Sequence, residues 1–224
     1  MQSFSFLEEA GLRLAAMSDK STGDCGGRES ARENTRRFLS VPGQPDREPV
    51  RVHQVHGTRV VRADEARSGV VEADGLCTDE TGVLLSMSVA DCAPVLLFDP
   101  VCRAIGLLHA GREGTFHNIA LAGVQAMKEH FSSSPASLLA LVGPCAHVCC
   151  YEVSAELAGL WRDAGYPARD RNLDIPSANR LQLENAGVFR HNIHIVPHCT
   201  VCGGVFFSYR TDKTSKRNLV VMML

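Results

Sequence analysis

The chain has no run of about eighteen apolar residues, the length a membrane-spanning helix requires. Its N-terminus, MQSFSFLEEAGLRLAAM, has no basic segment followed by an uninterrupted apolar one, so nothing marks it for export. Neither lysine nor arginine is in excess: 23 basic residues face 25 acidic ones, for a formal charge of −2. A surface that neutralises a phosphate backbone needs a basic stripe, so nucleic acid is excluded as a partner. A cytoplasmic protein with no membrane or nucleic-acid partner is expected. There is no low-complexity tract and no internal repeat. With 45% hydrophobic and 21% charged residues, the 224-residue chain can bury enough apolar surface to offset the entropy of ordering. One domain spanning residues 1–224 is the expected organisation.

What is present reads as strands interspersed with helices. The runs RVHQVHGTRVV, VLLSMSV, PVLLFD and AIGLLHAG are short, apolar and bounded by Gly, Pro or Asp, the signature of buried strands. The run FHNIALAGVQAMKEHF repeats apolar residues at three- and four-residue steps and predicts an amphipathic helix, with Thr115 as its N-cap. A strand SLLALVG, helices over VSAELAGLWRDAG and SANRLQLENAG, and closing strands IHIVP, VFFSYR and NLVVMML follow. The stretch from Asp19 to Asp46 is rich in Ser, Gly, Pro and charge and holds one helix, ESARENTRRFLS, as a lid or edge. The class is α/β or α+β with mixed sheets, because some strands follow one another directly.

Three polar residues fall where strands should end: His56 in QVHG, Cys92 in ADCAP and His109 in AIGLLHAG. Side chains there are held by a rigid sheet yet face a crevice. Two imidazoles and a thiolate suit zinc and leave a fourth tetrahedral position open, the arrangement of a catalytic site. Their separations match no local zinc signature, however, and on spacing alone each histidine reads as a hydrogen-bonded core residue and Cys92 as a small buried hydrophobe. The odd number of cysteines, nine, argues against a disulfide framework. CTVCGG resembles half of a zinc knuckle, with Cys145, Cys149 and Cys150 as candidates for the other half. Free thiols near a sheet end are the alternative.

The ordered set QVHG, ADGLCTD, ADCAPVLLFDP, IGLLHAG, VGPCAHVCCYEV, LDIPSANRLQLENAGV and FFSYRTDKTSKRNL resembles the YfiH/LACC1 family from about Val50 to the C-terminus. Members were once called multicopper polyphenol oxidases and are now regarded as purine nucleoside phosphorylases. The resemblance implies a four-layer α/β/β/α fold of the CNF1/YfiH kind, with residues 1–49 divergent. It implies metal ligation by His56, Cys92 and His109, with zinc favoured over copper. It also implies phosphorolysis of adenosine, inosine or 5′-methylthioadenosine, with adenosine deamination as a companion activity. Asp74 of ADGLCTD is the preferred catalytic carboxylate beside Cys92 and His109, and Asp91 a candidate support for a ligand. Arg112, Arg210 and Arg217 are the candidate substrate-binding cations.

Two departures from the family pattern bear on function. HAGREG stands where HAGWRG is usual, placing Glu113 at the arginine position and Arg112 one residue earlier. AAMSDKSTGDCGG does not match the usual TTRxGG-like segment. Three rival classes follow from the same residues. A copper oxidase needs roughly ten histidines, many in HxH pairs, whereas this chain has nine and no such pair. A non-catalytic zinc protein accommodates the altered HAGREG. A thiol hydrolase or deamidase would use Cys92 as nucleophile and His109 as base.

Overall fold

Apolar runs four to seven residues long, too short for helices and hydrophobic on both faces, become the central strands. The computed structural model describes residues 1–26, 31–40 and 48–224. Among these, the strands are β1 (Gln2–Ser3), β2 (Leu14–Met17), β3 (Val60–Arg62), β4 (Gly75–Thr78), β5 (Leu85–Val89), β6 (Ala93–Asp99), β7 (Ala104–Ala110), β8 (Leu139–Val142), β9 (Ala168–Arg169), β10 (Asn172–Leu173), β11 (Ile193–Ile195) and β12 (Asn218–Met223). The helices are α1 (Ser5–Glu8), α2 (Arg32–Leu39), α3 (Ala63–Arg67), α4 (Arg112–Phe116), α5 (Ile119–Phe131), α6 (Ala155–Asp163), α7 (Ile175–Asn185) and α8 (Tyr209–Asp212). No helix among the described residues is long and apolar enough to cross a membrane.

The strands form a six-stranded sheet in the order β11-β8-β6-β7-β4-β3, a four-stranded sheet β1-β2-β12-β5, and a small β9-β10 ribbon. The larger sheet is mixed: β11 with β8 and β3 with β4 run parallel, and the pairs between them run antiparallel. Side chains alternate along each strand and so sort into two layers. In β6 and β7, Val95, Leu97 and Leu108 pack with Ile119, Val124, Met127, Trp161 and Leu183 of the helices. Leu96, Phe98, Ile105 and Leu107 pack instead against Met17, Leu85, Met87, Val220 and Met222 of the smaller sheet. The outer face of that smaller sheet carries Leu219, Val221 and Met223, covered by Phe38 of α2. The result is helix, sheet, sheet, helix, as the resemblance implied.

Burying each of these large side chains contributes roughly 1.5–3 kcal/mol. The helix layer sits close because Gly123 of α5 faces β7: a Cβ there would come 2.4 Å from Leu108 Cδ1.

Several expectations need correction. Thr115 does not cap α5: it lies inside α4, buried, with its hydroxyl accepting from Asn179 Nδ2 at 3.0 Å. The capping position belongs to Asn118, in the left-handed region at φ 68°. VFFSYR is not a strand. The Asn218 side-chain amide satisfies both backbone groups of Phe207, at 3.0 and 2.9 Å, so that segment is docked without a ladder, and Ser208 caps α8. Of RVHQVHGTRVV only Val60 and Val61 lie in a strand, the start of β3. Five strands were not anticipated: β1, β2 within LRLAAM, β4 within ADGLCTD, β9 and β10. The helix expected over ESARENTRRFLS is α2, and its Glu29 and Ser30 lie outside the described residues.

Candidate metal centre and its cleft

Strand alternation puts His109 on the same face of β7 as Ile105 and Leu107, pointing between the two sheets at their open end. Cys92 lies in the short crossing from β5 of one sheet to β6 of the other. His56 comes from the loop before β3. The ligand-capable atoms of His56, Cys92 and His109 lie within 4.8 Å of one another, and the two imidazole centroids are 4.9 Å apart. This is the set that the strand ends suggested.

What brings them together is Asp74, wholly buried just ahead of β4. Its carboxylate accepts the backbone N–H groups of Val55, His56 and Gly57 at 3.1, 3.0 and 2.7 Å, curling the QVHG loop around itself. The turn requires His56 to adopt φ 63°, a conformation unusual for a residue with a Cβ. Asp74 Oδ1 also meets His109 Nδ1 at 2.8 Å. That contact leaves Nε2 as the ring atom available to Cys92 or an ion. Asp74 thus stands behind His56 and His109 and aligns both, the position a carboxylate takes behind a metal-bound imidazole.

Electrostatics follow from this geometry. Burial disfavours the Cys92 thiolate, but hydrogen bonds from His109 and His56 outweigh burial and bring the thiol down to about 6. Burial likewise opposes the charged form of His109, yet Asp74 and Cys92 raise it to about 9. His56 is raised chiefly by its hydrogen bond to Cys92. Asp74 is held below the usual carboxylate range: burial works against this, and His109 with the Gly57 and Val55 amides prevails. The space beside the sulfur is kept open by Gly111, where a Cβ would lie 3.0 Å from Cys92 Sγ and 3.1 Å from His56 Cδ2. A thiolate favoured at neutral pH, two converging imidazoles and an oriented ring fit a borderline-soft divalent ion such as zinc.

His56, Cys92 and His109 open into a cleft of about 1030 Å³, large enough for a drug-sized molecule. Arg112, Arg210 and Arg217 all line it, as does Lys213. Arg210 sits over the Tyr151 ring, its Cζ 3.9 Å from the centroid, and donates to the Glu152 carbonyl at 2.9 Å. Arg217 donates to the Thr214 and Lys216 carbonyls, and its backbone N–H is held by Asp24. Arg112 is ion-paired with Glu113, which is about half exposed and is not among the cleft-lining residues. Asp91 does not support a ligand. Its carboxylate accepts from the Thr200 hydroxyl at 2.6 Å and the Arg210 backbone N–H at 2.7 Å. Sequence reasoning missed Gln54, Tyr151 and Lys213. All three sit inside quoted motifs, and Gln54 holds the wall by bonding both backbone groups of Ser88.

The family model described as multi-copper polyphenol oxidoreductase laccase matches residues 18–224. The chain belongs to this family. The match begins earlier than Val50, where the motif resemblance starts. Among curated relatives, purine nucleoside phosphorylase YlmD of Geobacillus stearothermophilus is 33% identical over 80% of this chain and 73% of its own length. Purine nucleoside phosphorylase SCO2081 of Streptomyces coelicolor is 38% identical over 76% and 74%. The Bacillus licheniformis hypothetical protein YfiH superposes with a TM-score of 0.84 at 26% identity, covering 94% of this chain and 92% of that one. The crystal structure of YlmD from G. stearothermophilus gives 0.82 at 29%, covering 94% and 91%.

Proposed function

We propose that this chain is a single-domain, metal-dependent purine nucleoside phosphorylase acting on adenosine, inosine or 5′-methylthioadenosine, with adenosine deamination as a companion activity. The observation that carries the reading is the joining of the His56–Cys92–His109 set to a cleft bordered by Arg112, Arg210, Arg217 and Lys213. The names of the curated relatives support it.

Phosphorolysis builds positive charge on the ribose and negative charge on the departing base, so the site must bind an anion and stabilise a leaving group. The cleft-facing guanidinium groups are the anion binders, with Arg112 and Arg210 pre-oriented by Glu113 and by Tyr151. His56, Cys92 and His109 would hold zinc, which supplies a Lewis acid when bound. Asp74 acts through His109: it fixes the ring's orientation and tautomer and has no exposed oxygen with which to reach substrate.

The multicopper chemistry in the family description would need roughly ten histidines. The two clusters capable of holding a metal among the described residues contain two histidines between them. A second reading is favoured by one observation: in the absence of an ion, a thiolate at about 6 beside an imidazole at about 9 is the pairing of a cysteine nucleophile.

The test is to incubate metal-analysed protein with adenosine, with and without phosphate, and identify adenine, inosine and ribose-1-phosphate. Phosphate-dependent adenine and ribose-1-phosphate are expected. Their absence from zinc-loaded protein would sink the reading, and activity in zinc-free protein abolished by alkylating Cys92 would favour the thiol enzyme.

A further inference from the structure

A second cluster of ligand atoms lies away from His56, Cys92 and His109. The loop between β8 and α6 carries Cys149 and Cys150, and the segment between β11 and α8 carries Cys199 and Cys202. Their four sulfur atoms lie within 4.8 Å of one another, and Cys149 Sγ is 3.8 Å from Cys202 Sγ. A tetrahedral ion with metal–sulfur bonds of about 2.3 Å requires sulfur–sulfur edges of about 3.8 Å. None of the four is in a disulfide.

The backbone around the sulfurs is shaped for such an ion. CTVCGG makes a tight turn: Gly203 N–H donates to the Cys199 carbonyl at 3.0 Å, a Cβ on Gly203 would lie 2.5 Å from that oxygen, and Gly204 has φ 71°. The backbone N–H groups of His147, Cys202 and Val201 favour the thiolate form of Cys199. Donors of this kind orient and stabilise a metal-bound thiolate. The two segments are already in register, since Thr200 N–H donates to the Cys145 carbonyl at 2.9 Å. Cys145 itself is fully buried and outside the cluster, so the half-site suggested by its sequence position is formed by Cys149 and Cys150 alone.

The geometry points to a structural zinc site formed by Cys149, Cys150, Cys199 and Cys202, distinct from the His56–Cys92–His109 centre. Four protein ligands leave no open position, the mark of a structural ion. It ties together two stretches 53 residues apart at Cys149 and Cys202. Both stretches build the cleft wall. Tyr151, adjacent to Cys150, carries Arg210 on its ring, and Thr200, adjacent to Cys199, holds Asp91 beside Cys92. The ion therefore fixes the cation-bearing wall without touching substrate, whatever reaction the cleft performs.

Metal analysis of protein grown with zinc tests this. Wild type should carry about two zinc ions per chain, and Cys92→Ala and Cys202→Ser about one each. Cobalt(II)-loaded wild type and Cys92→Ala should both display the intense visible and charge-transfer bands of a tetrahedral tetrathiolate. Cys202→Ser should lose those bands, and Cys202→His, which supplies a Cys₃His set, should restore the second equivalent. If Cys202→Ser does not fold, the cobalt spectrum of Cys92→Ala decides alone. One zinc per chain abolished by Cys92→Ala, no tetrathiolate bands in cobalt-loaded Cys92→Ala, or a Cys149–Cys202 disulfide in peptide maps of freshly purified protein would each overturn the assignment. None of these readings depends on nucleoside turnover, so they stand or fall apart from the phosphorylase proposal.

Discussion

The two clusters are built on opposite principles. His56, Cys92 and His109 hang from strand ends and from a loop wrapped around a buried carboxylate, and they face a cleft bordered by cations. The four cysteines hang from turns, have no histidine or carboxylate among them, and are half on the surface. As proposed, three donors backed by a rigid sheet would leave a coordination position for chemistry, whereas four thiols on two loops would use every position to tie the two loops together. The difference teaches that a donor's support decides what its site can do. Asp74 fixes the direction of the His109 ring, and among the described residues no carboxylate does the same for Cys149.

The comparison breaks most severely if Cys92 is dispensable. Cys92→Ala should keep the fold, lose the zinc bound at this centre, and reduce kcat/KM for nucleoside cleavage by about three orders of magnitude or more, the scale of losing a metal or general-acid contribution. Parallel metal analysis and steady-state kinetics check it, and turnover within tenfold of wild type would remove the centre from the reaction.

Asp74→Asn tests whether the buried carboxylate is what distinguishes the first cluster. Metal affinity should fall by roughly 10- to 100-fold in a chelator competition, and turnover by about 10- to 100-fold even at saturating zinc, the range for a carboxylate that orients a ligand. The amide also turns an N–H₂ toward backbone donors, costing about 1–3 kcal/mol of stability. A variant with lower Tm but unaltered metal affinity would reduce Asp74 to a loop anchor.

The thiols themselves should sort the two clusters in metal-stripped protein. Cys92 sits at about 6, while burial and the neighbouring Cys199 and Cys202 thiols raise Cys149 to about 11. At pH 7 Cys92 is mostly thiolate and Cys149 almost wholly thiol. After allowing for the weaker intrinsic nucleophilicity of the more acidic thiol, iodoacetamide should label Cys92 about thirtyfold faster. Labelling of Cys92 should persist as pH falls and fail only below about 6. Mass spectrometry of timed digests reads both, and a Cys92 labelling midpoint near that of an ordinary thiol would contradict the imidazole pairing.

The smallest effect concerns Arg112 and Glu113. An ion pair this exposed is worth at most about 1 kcal/mol, so Glu113→Gln should free Arg112 and lower the phosphate KM by no more than about fivefold, leaving the nucleoside KM unchanged. Phosphate saturation curves for Glu113→Gln and Arg112→Ala test the pair. Indifference of both would place the anion on Arg210, Arg217 and Lys213 instead.

Much of this was legible in the chain because periodicity is a local property. The runs over β6, β7 and β8 and the three-and-four spacing of α5 declare their conformation through residues a few positions apart, and alternation in β7 already assigns His109 a face. The strands that escaped notice, β1, β2, β4, β9 and β10, are two to four residues long and, unlike β8, stand in no longer apolar run; β2 and β4 exist because β12 and β7 offer ladders to them. VFFSYR has a strand's composition, but Asn218 reaches it first. Thr115 has a cap's chemistry, but Asn179 claims its hydroxyl.

Residue types and strand ends nominated His56, Cys92 and His109, and the ordered motifs named the family. That Asp74 faces His109 and the QVHG amides instead of the cleft, that Asp91 serves Thr200 and Arg210, and that Cys149 and Cys150 pair with Cys199 and Cys202 while Cys145 does not, were decided by the tertiary structure alone. A sequence specifies which donors exist and how each short segment bends. Which donors converge depends on contacts between segments tens to hundreds of residues apart, and these exist only once the two sheets have packed.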